Sequence, residues 1–404
     1  MTIETSPHSE FERAFQDAKA LLDAEQFDPG LDAVQAFLDR MPADPDEAMR
    51  DLLYRMLITR VGALTKLDRF DRVLLDCDRM LDLVSVDQVS AQRANVLIQL
   101  SFAQANLLMP EQALRAAHVA LQDGIQLQDG LFTAQALERL AMVYLSMGDG
   151  DAALTFMFEA LGFMDHHKSD YERIRRYSNA LHLICSLFDA YIDAEKFVEA
   201  EAVLARALSF NAQASALAPQ VDSQYIVCMF RANLARWNRR CGRRQMARGA
   251  FLDLERRAAA GGWHAVRRPV LLELALMEEG ECHPLEALAL LAAVFERTDL
   301  RVRDVVALPA LRAQMRCYAA TGQPDLAATA AANWNSRVAQ RRQAVRQAMA
   351  QLPDLGPRIL ASLAEADRAR LDEVVRQLRE QRQRGAGLKL LDHEWTDEQS
   401  PEAP

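Results

Sequence analysis

Residues 140–160 read LAMVYLSMGDGDAALTFMFEA. A leucine and a small residue come first, a tyrosine follows three positions on, and after a glycine small and large apolar residues recur every three or four positions. The residues that set this spacing are Leu140, Ala141, Tyr144, Gly148, Ala153, Met157 and Ala160. Such spacing places apolar residues on one face of an α-helix, and glycine favours a turn. The segment therefore predicts two amphipathic helices joined by a tight turn.

The same pattern recurs along the chain. A second copy consists of Leu187, Phe188, Tyr191, Phe197, Ala200, Leu204 and Ala207. With the small residue of the second helix as anchor, eight units follow, anchored at Gly30, Val73, Ala113, Ala153, Ala200, Ala247, Ala287 and Ala327. The positions four and seven residues after each anchor are all apolar, although only 50% of the chain is hydrophobic. An internal repeat of this length indicates a stack of helix pairs.

These units resemble the tetratricopeptide repeat. The resemblance implies an all-α fold, and we predict a right-handed α-solenoid of about eight tetratricopeptide-like helix–turn–helix repeats with a C-terminal capping helix. Anchor spacings of 40, 43 and 47 residues exceed the roughly 34 residues usual in this superfamily. Such long repeats are similar to those of bacterial regulatory proteins, among them peptide-sensing phosphatase regulators and the sensory halves of some transcription activators and diguanylate cyclases. The two longest units predict extra loops or helix extensions at 162–180 and 209–227.

Composition divides the chain into four segments. We expect a disordered N-terminus at 1–10, the superhelix at 11–340, capping helices at 341–384 and a disordered acidic tail at 385–404. A net charge of −10 argues against a general nucleic-acid binder. No apolar run is long enough to cross a bilayer, no signal peptide is apparent, and the six cysteines form no C-x-x-C pair. We therefore expect a cytoplasmic protein with buried, reduced thiols, and the sequence leaves its oligomeric state open.

No catalytic constellation is recognisable. The sequence contains no phosphate-binding glycine loop, no nucleophile elbow and no metal-spaced set of histidines and cysteines. The adjacent pair His166 and His167 follows a predicted helix end, where cations are favoured by the helix dipole. We therefore predict that the chain is not an enzyme, with no catalytic residue, cofactor or metal.

The resemblance also implies where a ligand would bind, because the first helices of such repeats line a concave groove. Carried over to this sequence, it selects Asn95, Ile98 and Phe102 in the third repeat and Gln135, Glu138 and Met142 in the fourth. The candidates for partner binding in the last three repeats are Asn233, Arg236, Arg239, Arg240, Arg243, Glu273, Arg312 and Arg316. Seven arginines lie between 231 and 248, and four of them share one helical face. This face is either an anion-binding patch or is paired internally with carboxylates, for example Glu273, Glu279 or Asp193.

Two functions follow. In the first, the protein is a non-catalytic interaction scaffold, a bacterial regulatory or signalling adaptor that holds a protein or peptide segment in its groove, an acidic segment being one option. In the alternative, it is a regulator that senses a peptide or metabolite and changes solenoid shape on binding. An enzyme and a nucleic-acid binder are weaker hypotheses.

Overall fold

A computed structural model describes residues 7–85, 88–164, 169–296 and 301–351. Over these ranges the chain forms helices and no strand. The helices are α1 (Pro7–Asp23), α2 (Phe27–Arg40), α3 (Glu47–Lys66), α4 (Phe70–Leu83), α5 (Ala91–Asn106), α6 (Pro110–Gln126), α7 (Gly130–Met147), α8 (Gly150–Gly162), α9 (Asp170–Asp193), α10 (Phe197–Ala205), α11 (Leu208–Leu217), α12 (Gln224–Arg240), α13 (Arg244–Ala260), α14 (His264–Gly280), α15 (Pro284–Val294), α16 (Asp304–Ala320) and α17 (Pro324–Gln351).

Sixteen of these helices form eight consecutive helix–turn–helix pairs, and α11 is the additional one. The pairs are α1–α2, α3–α4, α5–α6, α7–α8, α9–α10, α12–α13, α14–α15 and α16–α17. The first helix of each pair contacts the first helix of the next pair from α1 to α16, which builds one continuous inner layer. The predicted all-α solenoid of about eight helix–turn–helix repeats is therefore confirmed.

The extra residues of the two longest repeats take different forms. In the first, they lengthen α9 to 24 residues. In the second, they form α11 and a short 3-10 turn at Ala218–Gln220. At the N-terminus α1 begins at Pro7, inside the segment predicted to be disordered, and α17 runs without a break across the predicted boundary after residue 340. The capping helix expected near 366–384 and the acidic tail at 385–404 lie outside the described residues.

Each helix pair is joined by the same turn. One residue in each turn has a positive φ, and it lies five positions before the anchor of its repeat in all eight cases: Glu25, Asp68, Leu108, Gly148, Glu195, Gly242, Cys282 and Gly322. The next residue donates its backbone N–H to the carbonyl five positions earlier, as in Gln26 to Leu21 and Gln323 to Tyr318. This hydrogen bond defines a Schellman ending, which satisfies carbonyls left free at the helix terminus. The repeat register read from the sequence thus coincides with the backbone geometry.

Burial follows the same register. The anchors of the first seven repeats are buried, and so are the residues four and seven positions after them, including Val34, Phe251 and Val294. In the eighth repeat the anchor Ala327 is only half-buried, as are Ala331 and Trp334. Since α17 packs against α16 on one side and no described repeat follows it, its other face is less covered.

The superhelix turns far enough for distant repeats to meet. Glu25 in the first repeat accepts hydrogen bonds from Ser223 Oγ (2.8 Å) and Tyr225 N (3.1 Å) in the sixth. Asp68 in the second repeat forms an ion pair with Arg303, 3.4 Å away, before the eighth. Arg341 Nε of α17 donates to the Ser146 carbonyl of the fourth repeat at 2.8 Å. We call these three the closing contacts. One hydrophobic core accordingly joins repeats one to three with residues 225–277.

Two further observations bear on the sequence predictions. Among the described residues, no helix is long and apolar enough to cross a membrane. The cysteines have no disulfide partners in the described ranges, and Cys77, Cys185, Cys228 and Cys317 are buried as predicted. The prediction that the thiols are buried is wrong for Cys282, which is exposed, and Cys241 is only half-buried.

Candidate functional site

The inner helices line a central cavity of about 480 Å³ that is partly open to solvent. Its wall contains residues from seven of the eight repeats, beginning with α3 and ending with α16. Amide side chains share this wall with aromatic and aliphatic ones. The amides are Asn95, Gln99, Gln135, Asn179 and Asn233, and the larger apolar residues include Phe102, Phe132, Met142, Tyr171, Tyr225 and Met229. A mostly apolar concave surface with a few placed polar groups is typical of a ligand site.

The sequence-predicted groove residues divide into two groups. Asn95, Ile98, Phe102, Gln135, Met142, Asn233, Arg236 and Glu273 line the cavity. Arg239, Arg240, Arg243, Arg312 and Arg316 are not among its lining residues. Arg239 and Arg240 end α12, Arg243 lies in the turn that follows, and Arg312 and Arg316 lie in the middle and the second half of α16.

The arginine face of α12 is paired with carboxylates. Glu273 on α14 accepts from Arg236 Nε at 2.9 Å, from Arg240 Nη2 at 3.0 Å and from Arg239 Nε. Arg240 also donates from Nε to Asp189 Oδ1 on α9 at 2.8 Å, and only 3% of its side chain is exposed. Burial alone would raise the pKa of Glu273, but the three guanidinium groups hold it well below its usual range. Of the two interpretations of this face, these contacts show internal pairing.

The remaining candidate arginines also have partners. Arg312 Nη1 lies 2.6 Å from Asp193 of the fifth repeat, and Arg316 Nη2 lies 2.8 Å from Glu279. Arg243 lies over the Trp237 ring, with 5.5 Å between its guanidinium carbon and the ring centroid. Glu279 and Asp193 are thus paired, although with the eighth repeat and not with the face of α12.

A second carboxylate, Glu138, is the centre of a buried cluster behind the cavity wall. Its Oε1 accepts from Arg139 Nη2 (2.8 Å), Arg175 Nη1 (3.1 Å) and Asn179 Nδ2 (2.9 Å). Arg176 Nη1 lies 3.5 Å from its Oε2. Burial alone would raise the pKa of Glu138, but the surrounding arginines lower it to about 2. Glu138, predicted to line the groove, instead fixes Arg139, Arg175 and Asn179 in the wall.

His182 on α9 contacts the arginine face of α12. Its Nδ1 lies 3.0 Å from Arg236 Nη1. Burial and the nearby guanidinium charges hold the pKa of His182 well below its usual value. The ring is therefore neutral at physiological pH and accepts a hydrogen bond from Arg236.

Sequence reasoning missed several residues of the wall. Lys66, Tyr225 and Arg303 line the cavity but lie near helix ends or in a connection, outside the groove positions carried over from the repeat. Local periodicity gave no signal for them. The scarcity of lysine, present at only five positions, is the feature that could have drawn attention to Lys66.

The geometry defines the class of fold: the chain is a tetratricopeptide-like α-solenoid with a central cavity. No protein-family model matches the sequence, and no curated protein matches it significantly. Solved structures also match the chain. One is a Rap protein complexed with Competence and Sporulation Factor, with a TM-score of 0.52 and 16% identity, covering 93% of this chain and 100% of that chain. Another is the apo form of RapI, with a TM-score of 0.39 and 10% identity, covering 93% and 99%. At this identity the likeness concerns the fold.

Proposed function

We propose that this protein is a non-catalytic regulatory binding protein that takes a short peptide segment into its central cavity. The observation that carries the proposal is that side-chain amides without hydrogen-bond partners lie beside apolar surface in this cavity. Gln99 on α5 and Gln135 on α7 line the cavity on neighbouring inner helices, and neither has a side-chain hydrogen-bond partner among the described residues. A primary amide both donates and accepts, as a peptide group does.

The size and charge of the cavity support a short ligand. Its volume of about 480 Å³ falls in the range of roughly 300–1,000 Å³ usual for small-ligand sites, which is too small for a folded domain. The carboxylates and guanidinium groups of its wall are engaged with one another, as in the clusters around Glu138 and Glu273. Side chains that are ion-paired in this way are poorly placed to donate or accept a proton, which favours a binding role over catalysis. The similar Rap protein, complexed with Competence and Sporulation Factor, is consistent with such a use of the fold.

The alternative function, a sensor that changes shape, is favoured by one observation. Asp68 and Arg303 both line the cavity and form a closing contact between the second repeat and the start of the eighth. A ligand that competes for either group would weaken this contact and change the superhelical pitch. Small-angle scattering with and without ligand tests this function, and superimposable curves would exclude it.

A matched pair of glycine variants tests the binding site. Gly62 lies in α3 on the cavity wall, and a Cβ added there meets nothing within 4 Å. Gly249 lies in α13 away from the cavity, and a Cβ there also meets nothing. Neither Gly62→Phe nor Gly249→Phe should lower stability, since glycine is a poor helix former. Only Gly62→Phe places a ring in the cavity.

The probe is a display library of random linear heptapeptides, selected on the full chain and then measured by fluorescence anisotropy. We expect enriched peptides to bind the parent and Gly249→Phe alike and to bind Gly62→Phe at least tenfold more weakly. Peptides that bind all three proteins equally would place the site elsewhere. A library that yields no binder would overturn the proposal of a peptide ligand.

A further inference from the structure

The ammonium group of Lys66 has an unusual environment. Lys66 is the last residue of α3, and its half-buried side chain lines the cavity. Its Nζ lies 5.4 Å from the centroid of the Phe27 ring and 5.4 Å from that of Tyr225. The two rings come from the first and sixth repeats, so the closing contacts bring this environment together. Burial lowers the pKa of Lys66, and the charges of Glu25 and Asp23 act in the opposite direction.

Lys66 differs from the other cations of the cavity wall. Arg139 and Arg175 bind Glu138, Arg236 binds Glu273, and Arg303 pairs with Asp68. Among the described residues, Lys66 has no carboxylate within ion-pair distance. The carboxylate of Glu25 is engaged by the Ser223 hydroxyl and the Tyr225 N–H. Among the described residues of the cavity wall, Lys66 is therefore the one lysine or arginine that no carboxylate contacts.

Contacts within the protein stabilise the ammonium group of Lys66 in part. A cation at a helix C-terminus interacts favourably with the helix dipole, and each aromatic face attracts an ammonium group. Neither interaction replaces the hydrogen bonds that an ammonium donates, of which it can form three. The half-buried ammonium group therefore keeps hydrogen bonds that it can donate into the cavity, either to solvent or to an acceptor on a ligand.

We infer that Lys66 binds a carboxylate of the ligand, with Phe27 and Tyr225 as the walls of the subsite. The inference rests on the proposed peptide function and adds the chemistry of recognition to it. A single ammonium group matches one carboxylate, whereas the arginine forks that suit phosphate better are already engaged with carboxylates of the protein. The carboxylate is either the C-terminus of the peptide or an aspartate or glutamate side chain. This moves anion recognition from the arginine face near the C-terminus of α12, where the sequence suggested it, to Lys66 beside Tyr225 near the N-terminus of the same helix.

The test uses heptapeptides whose binding is abolished by Gly62→Phe, so that they occupy the cavity. Each is made in three forms: a free C-terminal acid without acidic side chains, a C-terminal amide that keeps them, and a C-terminal amide without them. Affinities are measured for the parent, Lys66→Met, Lys66→Arg and the control Lys196→Met. Lys196 is exposed and lies outside the cavity.

We expect Lys66→Met to weaken binding of one acid-bearing form by about 10- to 100-fold, the range for a charge-assisted hydrogen bond. The doubly neutral form should change less than about twofold, Lys66→Arg should retain part of the affinity, and Lys196→Met should behave as the parent. The form that responds identifies the source of the carboxylate. Equal losses for charged and neutral forms, or no loss for any, would overturn the inference while leaving the peptide function intact. If no peptide responds to Gly62→Phe, the proposed function itself fails.

Discussion

Glu273 offers a quantitative test of how this solenoid balances its buried arginines. Three guanidinium groups converge on its carboxylate, and only 3% of the Glu273 side chain is exposed. Replacing Glu273 with glutamine keeps the shape and removes the charge, leaving Arg236, Arg239 and Arg240 with Asp189 alone. Loss of one partner from a buried ion pair costs about 3–5 kcal/mol, because the remaining charge is desolvated and uncompensated. We expect Glu273→Gln to lower the free energy of unfolding by that amount.

Glu279, six residues further along α14, provides the matched control. It pairs with Arg316, whose side chain is 51% exposed. Exposed pairs contribute about 0–1 kcal/mol, since water screens them. Urea unfolding followed by circular dichroism at equal m-values should therefore separate Glu273→Gln from Glu279→Gln by at least about 2 kcal/mol. Indistinguishable midpoints for the two variants would refute the view that Glu273 holds the arginine face together.

Two further predictions concern acid stability and the core. The pKa of Glu138 lies below its ordinary value of 4.5, at about 2, so its charge stabilises the fold above pH 4.5 and this contribution is lost as the pH falls towards 2. The parent should exceed Glu138→Gln in free energy of unfolding by about 3 kcal/mol at pH 7. In urea titrations this difference should become smaller between pH 5 and 3. A difference that stays constant would contradict the lowered pKa of Glu138. Phe251 is fully buried and lies four residues after an anchor. We expect Phe251→Ala to lower the free energy of unfolding by about 3–5 kcal/mol. A loss below about 1 kcal/mol, measured by calorimetry or urea unfolding, would show that the repeat core collapses around the cavity left by the ring.

The repeat register could be predicted from the sequence because it depends on local contacts. The positions of Ala153 and Met157 are occupied in the other repeats by residues that are nearly all apolar, and in the first seven repeats both positions are buried. The turn also follows from this spacing, even where Leu108 or Cys282 occupies the positive-φ position that favours glycine. The prediction weakened at the eighth repeat, where Ala327 has neighbours on fewer sides.

The candidate site was predicted only in part. The groove positions in the third, fourth and sixth repeats, such as Asn95, Gln135 and Asn233, do lie on the cavity wall. The internal pairing of the arginine face was one of two open interpretations, because sequence spacing does not reveal which carboxylate lies opposite. Lys66 and Tyr225 meet only because small rotations between successive repeats add up over five units. No local sequence pattern specifies this accumulated rotation, so the cavity could not be predicted from the sequence.

The closing contacts have a consequence for how the molecule folds. In an open solenoid each repeat touches only its neighbours, so stability is nearly additive along the chain and unfolding can begin at either end. Here Glu25 and Tyr225 bond across 200 positions of sequence, and Ser146 and Arg341 across 195. Contacts this distant raise the contact order, which slows folding, and they couple both ends to the middle. We therefore expect the described repeats to melt as one cooperative unit, and deletion of the first helix pair to destabilise the sixth repeat as strongly as the second.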